Sequence, residues 1–366
     1  MARLDQICSL NMGQSPDSSS YNENGEGMPF FQGNADFGKV HPRVRVWCSA
    51  PTKVAHAGDV LISVRAPIGA LNIADRECCI GRGLAALTVN EELCNKDYLW
   101  YAIASKVDEL NSKGTGSTFK AISKSVLAET EIPLPTLAEQ QGVARQLAKV
   151  DELIGLRKEQ IAKLDQLVKS RFIELFGDVK EEEKLINLCN FIDYRGKTPE
   201  KTESGLPFIT AKNVKMHHMS FDTQEFISKE TYDKVMTRGF PRIGDVVFTT
   251  EAPLGNVCRI PYIETEFYIG QRIITMQTEQ LEPAYLEYAL SSDDFKRKIA
   301  EKSSGSTVTG IRSKLLEQLT IPVPPRAVQK QFATFVEQTD KSKLAIHQSL
   351  DKLELLKKTL MQEYFG

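Results

Sequence analysis

The stretch Pro135 to Gly177, PTLAEQQGVARQLAKVDELIGLRKEQIAKLDQLVKSRFIELFG, constrains the fold more than any other feature. Val143, Leu147, Val150, Ile154, Ile161, Leu164, Val168 and Leu175 step by four and three, with Arg157 and Arg171 filling two places in the same stripe. Thr136 and Glu139 make a capping box, because the hydroxyl can satisfy the Glu139 amide while the carboxylate reaches back. Pro135 keeps the preceding chain extended, and Gly177 can take the left-handed conformation that ends a helix. A helix of about 40 residues is roughly 60 Å long, at about 1.5 Å per residue. A small domain has no use for that length in its own core, so the stripe wants a partner helix. The plainer alternative is an ordinary amphipathic helix lying on one domain.

The partner is in the same chain. The C-terminal stretch carries the same stripe at Phe332, Val336, Thr339, Lys343, Ile346, Leu350, Leu353, Lys357, Leu360 and Tyr364. The polar breaks are displaced: Arg157 aligns with Ile346 and Arg171 with Leu360, while Lys343 and Lys357 align with Ile154 and Val168. Such seams suit each other better than copies of themselves. What precedes each helix also repeats. GDVLISVRAPIG at 58–69 returns as GDVVFTTEAPLG at 244–255, and Lys113 to Thr118 as Lys302 to Thr307. Ile132-Pro133-Leu134-Pro135 returns as Ile321-Pro322-Val323-Pro324. From the glycine-rich loop onward the offset is a constant 189 residues; at Pro67 and Pro253 it is 186.

The expected fold is therefore α+β, with two mixed α/β domains and two long helices forming an antiparallel coiled coil about a pseudo-twofold axis. Residues 1–134 and 178–324 are the domains; 135–177 and 325–366 are the helices. Within the first domain, Arg43 to Trp47 alternates charged and apolar residues and predicts a strand with both arginines on one face. DSSSYNENGEG is too rich in Ser, Asn and Gly to form an element.

Composition excludes several classes. No apolar run approaches the roughly 18 residues of a membrane span, and the N-terminus lacks the layout of a signal peptide. Seven cysteines without a CxxC fit reduced thiols in the cytoplasm. A net charge of −2 does not advertise nucleic-acid binding, so any DNA-facing charge is clustered or supplied by a partner. There is no phosphate-binding GxxxxGK[ST], no HExxH and no nucleophile elbow. Gly81-Arg82-Gly83 is expected to be a plain turn, and His217-His218 a solvated pair. The chain reads as a binder without catalysis or metal of its own.

The recurring segments GDVLISVRAPIG, KGTGSTFKAI and IPLPTLAEQ, with GDVVFTTEAPLG, KSSGSTVTGI and IPVPPRAVQ in the same order, resemble the specificity subunit of type I restriction–modification systems across essentially the whole chain. That resemblance implies two target-recognition domains, each reading half of an asymmetric DNA target, with the coiled coil setting the gap between them. Half-sites read from one face of B-DNA lie about 10 bp apart centre to centre. It also implies two modification subunits carrying S-adenosylmethionine, and restriction (motor–nuclease) subunits using ATP and Mg2+. A non-enzymatic scaffold for proteins or another repeated ligand is the reading from a different class.

Several residues are candidates for touching DNA. Gly116, Ser117 and Thr118, with Gly305, Ser306 and Thr307, precede expected helices whose amides can hold a phosphate. Lys120, Lys124, Arg312 and Lys314 are expected on the first turns of those helices, and Lys302 beside the second loop. The alternative is a simple capping loop. Base reading belongs where the repeats differ. Arg65 and Glu251 are equivalent and opposite in charge; arginine suits guanine O6 and N7, glutamate the cytosine amino group. Arg43, Arg45, Lys197, Thr198, Lys212 and Asn213 are further candidates. For all of these the alternative is an ordinary polar surface.

Overall fold

The computed structural model describes every residue except 117–119, 195, 197, 271 and 304–309. It divides into two units, Met1–Lys158 with His347–Gly366, and Glu159–Ile346. The long helices are Leu137–Phe176 and Arg326–Phe365, and each contributes to both units. Among the described residues no helix is long and apolar enough to cross a membrane.

In unit 1 an antiparallel sheet runs in the order Cys8–Met12, Leu84–Val89, Val60–Ser63, Leu71–Ile73. A second, mixed sheet holds Met28–Phe31 parallel to Cys78–Ile80. Unit 2 repeats this with Asn190–Asp193, Ile273–Gln277, Val246–Thr249 and Val257–Arg259, and with Leu206–Ile209 parallel to Tyr268–Ile269. The registers match: Ile62 faces Ala85 as Phe248 faces Ile274. Both central strands are apolar because both faces are covered. Alternation sends Val246 and Phe248 toward the helices, in one core with Val168, Phe332 and Val336, while Val247 joins Ile209 and Ile269 on the other side.

The stripe is a helix–helix seam. Leu147, Val150, Ile154, Val168, Phe332, Val336, Leu350 and Leu360 are buried, and Val143, Ile161, Leu164, Leu175, Ile346 and Leu353 are half-buried. In unit 1 Gln146 accepts from Tyr364, Asp151 pairs with Lys357 at 2.6 Å, and Lys158 with Glu354 at 3.0 Å. Numbers rise along one helix as they fall along the other, so the segments are antiparallel. In unit 2 Asp165 meets Lys343, and Phe172 meets Phe332. The displaced lysines thus find carboxylates on the facing helix.

The capping box is present, with the Thr136 amide donating to Glu139 at 2.9 Å and the Glu139 amide to the Thr136 hydroxyl. A stronger latch lies one residue on. Gln140 is fully buried, accepts from the Asn95 amide and donates to the Leu93 and Pro135 carbonyls. Gln329 does the same with the Glu282 amide and the Pro324 carbonyl. The helix starts differ in sequence around these two glutamines, yet the bond that docks each helix on its domain is the same.

Two expectations fail locally. The strand predicted over Arg43 to Trp47 covers only Val46–Cys48, because the Asp36 carbonyl captures the Arg43 amide and the Asp36 carboxylate captures the Arg45 side chain. The polar DSSSYNENGEG stretch does carry elements, a short helical turn at Ser18–Ser20 and a strand at Tyr21–Asn22. Asp17 caps the turn, and the Asn22 side chain accepts from the Asn24 and Glu26 amides.

Candidate nucleic-acid interface

At one edge of each unit three segments converge: the end of the central strand, the turn after the parallel strand, and the chain leaving the glycine-rich loop. In unit 1 the Val64 amide donates to the Gly83 carbonyl at 2.9 Å, and the Ile122 amide to the Val64 carbonyl at 2.9 Å. In unit 2 Thr250 donates to Arg272 at 2.8 Å, and Ile311 to Thr250 at 3.0 Å. Arg65 bridges Ala121 just as Glu251 bridges Gly310. The Ser63 and Thr249 hydroxyls each accept, at 2.9 Å, from the amide that closes the following turn, Ala70 or Asn256. Position 65 is therefore structurally position 251, as the repeat predicts, and position 83 is position 272.

The side chains on this shared frame differ. In unit 1 Arg65, Arg82, Lys120 and Lys124 are exposed and, among the described residues, have no carboxylate partner. In unit 2 Glu251 is paired with Arg272 at 2.9 Å, while Arg312, Lys314 and Lys302 are exposed nearby in sequence. Neither Arg82 nor Arg272 was an expected site residue. The alignment of the repeats could have found Arg272, since it faces a glycine in the other copy.

Ser117 and Thr118, Gly305, Ser306 and Thr307 lie outside the described residues, as does Lys197. Gly116 is exposed with φ +123°, and Thr115 pairs back with Ala121 before any helix begins. The helices that follow are Lys124–Ala128 and Ser313–Leu316, too short to present a strong dipole. Ser123 caps the first through the Val126 amide. Lys120 is not on a helix; Lys124 opens one, Arg312 precedes one and Lys314 lies within it. Any phosphate role for these side chains comes from their charge.

Other candidates differ in what already holds them. Arg45 is paired with the buried Asp36 but keeps an exposed side chain, and Arg43 is exposed. Asn213 is buried and uses its full capacity: Oδ1 accepts from the Thr210 amide and hydroxyl, and Nδ2 donates to the Ser220 and Thr223 carbonyls. It closes a loop and has nothing left for a base. Lys212 is exposed, 3.8 Å from Glu225, and Thr198 is exposed. His217 is half-buried rather than freely solvated. It stacks on Tyr288 and its Nδ1 lies 2.8 Å from Glu287, while His218 is exposed.

Among the described residues no group of three or more His, Cys, Asp or Glu is placed to hold a metal ion. All seven cysteines are buried free thiols. Burial pushes Cys8, Cys78, Cys189 and Cys258 up to about 12, which keeps them protonated and unreactive. What remains is a pair of like domains on shared helices, each with a polar edge built on one frame.

The chain belongs to the family described as type I restriction modification DNA specificity domain, whose model matches residues 1–166 and again 180–357. A 155-residue stretch is 46% identical to the type I restriction enzyme MjaX specificity subunit of Methanocaldococcus jannaschii, covering 42% of this chain and 36% of that protein. The MjaVIII specificity subunit of the same organism is 25% identical over 293 residues, 72% of this chain and 68% of that one. The crystal structure of a type I restriction–modification system S subunit from M. genitalium shares the fold. It has a TM-score of 0.62 and 18% identity, and the likeness covers 100% of this chain and 95% of that one.

Proposed function

We propose that the chain is the DNA-reading subunit of a type I restriction–modification complex and does no chemistry itself. Each domain reads one half of a bipartite, asymmetric target, and the paired helices set the gap. Two modification subunits, which bring S-adenosylmethionine, methylate adenine at the bound site; motor–nuclease subunits using ATP and Mg2+ join them for cleavage. The observation that carries this reading is the repetition of one backbone frame with unlike side chains on it. A reader of a symmetric ligand needs two identical surfaces, whereas a reader of two different half-sites needs one scaffold and two sets of contacts.

The test is adenine methylation mapped in genomic DNA from cells with and without this chain: a bipartite motif disappears when the chain is absent. Replacing residues 1–134 by another recognition domain changes one half of that motif and leaves the other. A change in both halves rejects the division of labour. DNA binding that is missing even with the modification subunits present would return the chain to a protein scaffold.

A further inference from the structure

We propose that Arg272 is the guanine-reading side chain of the second domain and that Glu251 is its positioning residue rather than a reader. This rests on the DNA-reading function proposed above. Arg272 stands with φ +69°, a backbone conformation that disfavours any residue with a Cβ and is retained at sites where a side chain must be aimed. Its carbonyl is fixed by the Thr250 amide at 2.8 Å, and its side chain remains 54% exposed. Glu251, on the adjoining strand end, forms an ion pair with it, Oε1 lying 2.9 Å from Nε. Among the described residues the two terminal nitrogens have no hydrogen-bond partner, and they form a fork whose geometry matches O6 and N7 of guanine.

The carboxylate also decides which ligand the fork takes. A phosphate approaching Arg272 meets the Glu251 charge beside it and is repelled, whereas the neutral acceptor edge of guanine is not. The surroundings make room for this pair only in unit 2. A Cβ at Gly310 would come within 3.3 Å of the Glu251 Cβ, and unit 1 has Ala121 at that place. At the position equivalent to Arg272, a Cβ on Gly83 would lie 2.4 Å from the Gln32 carbonyl oxygen, so unit 1 can hold no side chain there. Unit 1 thus has an arginine at 65, where unit 2 has Glu251, and unit 2 has one at 272, where unit 1 has Gly83.

The experiment maps adenine methylation in cells expressing the full chain, with its modification subunits, as wild type, Arg272→Ala, Glu251→Ala and Glu251→Gln. Duplexes randomised in the second half-site are selected in parallel. Arg272→Ala should lower discrimination for a single G·C pair in the second half by roughly 10- to 100-fold, leaving the first half intact. Glu251→Ala should relax the same base pair while binding to unrelated duplex becomes tighter, and Glu251→Gln, which still accepts from Nε, should keep the base preference. An unchanged second half in Arg272→Ala overturns the proposal, as does an equal loss of binding to every sequence, which would make Arg272 a phosphate contact. A wild type without any bipartite motif would instead strike the function itself, so the two failures are distinguishable.

Discussion

The two units dock their domains on the helices with the same bonds and very different packing. In unit 2 Phe172, Phe176, Phe332, Tyr285 and Tyr288 form one aromatic cluster with ring centroids 4.7–6.3 Å apart. In unit 1 the corresponding rings are Tyr98 and Phe365, 5.2 Å apart, and Tyr101, with Val143 and Met361 at the places of Phe332 and Phe172. The polar joints differ as well. Glu287, 1% exposed, accepts from Arg259 Nε at 2.6 Å and faces His217, while Arg259 reaches Asp340 on the helix at 2.9 Å. Unit 1 places Trp100 where Glu287 stands and uses a more open contact, Tyr101 and Lys357 on Asp151. The tyrosine hydroxyl bonds to the proline carbonyls are retained in both, Tyr98 to Pro133 and Tyr285 to Pro322. The repeat therefore preserves backbone latches and lets side-chain packing drift, because a latch fixes geometry whereas a core needs only matched volume.

The largest break in this comparison is expected from Glu287→Ala. It leaves the partly exposed Arg259 guanidinium with Asp340 as its counter-charge and empties a buried site, which costs about 3 kcal/mol. Calorimetry should show a lower first transition, and hydrogen exchange should locate the loss in unit 2. Phe332→Ala empties the centre of the aromatic cluster and should cost a similar ~3 kcal/mol, again in unit 2. The equivalent Val143→Ala, at a half-buried site of unit 1, should cost about 1 kcal/mol. Equal effects of the two substitutions would mean the rings fill space without tighter packing.

Smaller effects sharpen the electrostatic side. Lys357→Ala removes a partly exposed ion pair and should cost no more than about 1 kcal/mol, with a clear dependence on salt. Removing Lys302 and Arg312 together should weaken binding to all DNA sequences alike and flatten the salt slope by roughly 0.9 per lost contact, without altering the half-sites. The smallest is a pH effect. Burial pushes the Glu182 carboxyl up, but the Lys298 ammonium at 2.6 Å and the Thr320 hydroxyl outweigh it and hold the group below its ordinary 4.5. A depressed carboxyl stabilises the fold fully above that ordinary value, and loses the contribution as pH falls through the folded one. The stability difference between wild type and Glu182→Gln should therefore shrink in acid.

Sequence alone determined the repeat, the long helices with their seam, the buried strand before each proline turn, and the equivalence of positions 65 and 251. These are local periodicities, or identities read between copies, and they survive translation into structure because each depends on residues close in sequence or on a constant offset. Tertiary structure decided which polar residues are available. Asn213 and Arg45 stand alike in a string of letters, but Thr210 and Ser220 use up the hydrogen-bonding capacity of the first, whereas the second pairs with a buried Asp36 and stays exposed. The carboxylate of Glu251, a candidate reader in the sequence, is shared with Arg272, 21 positions on. Hydrogen-bond capacity is consumed through space, by partners that no pattern along the chain announces.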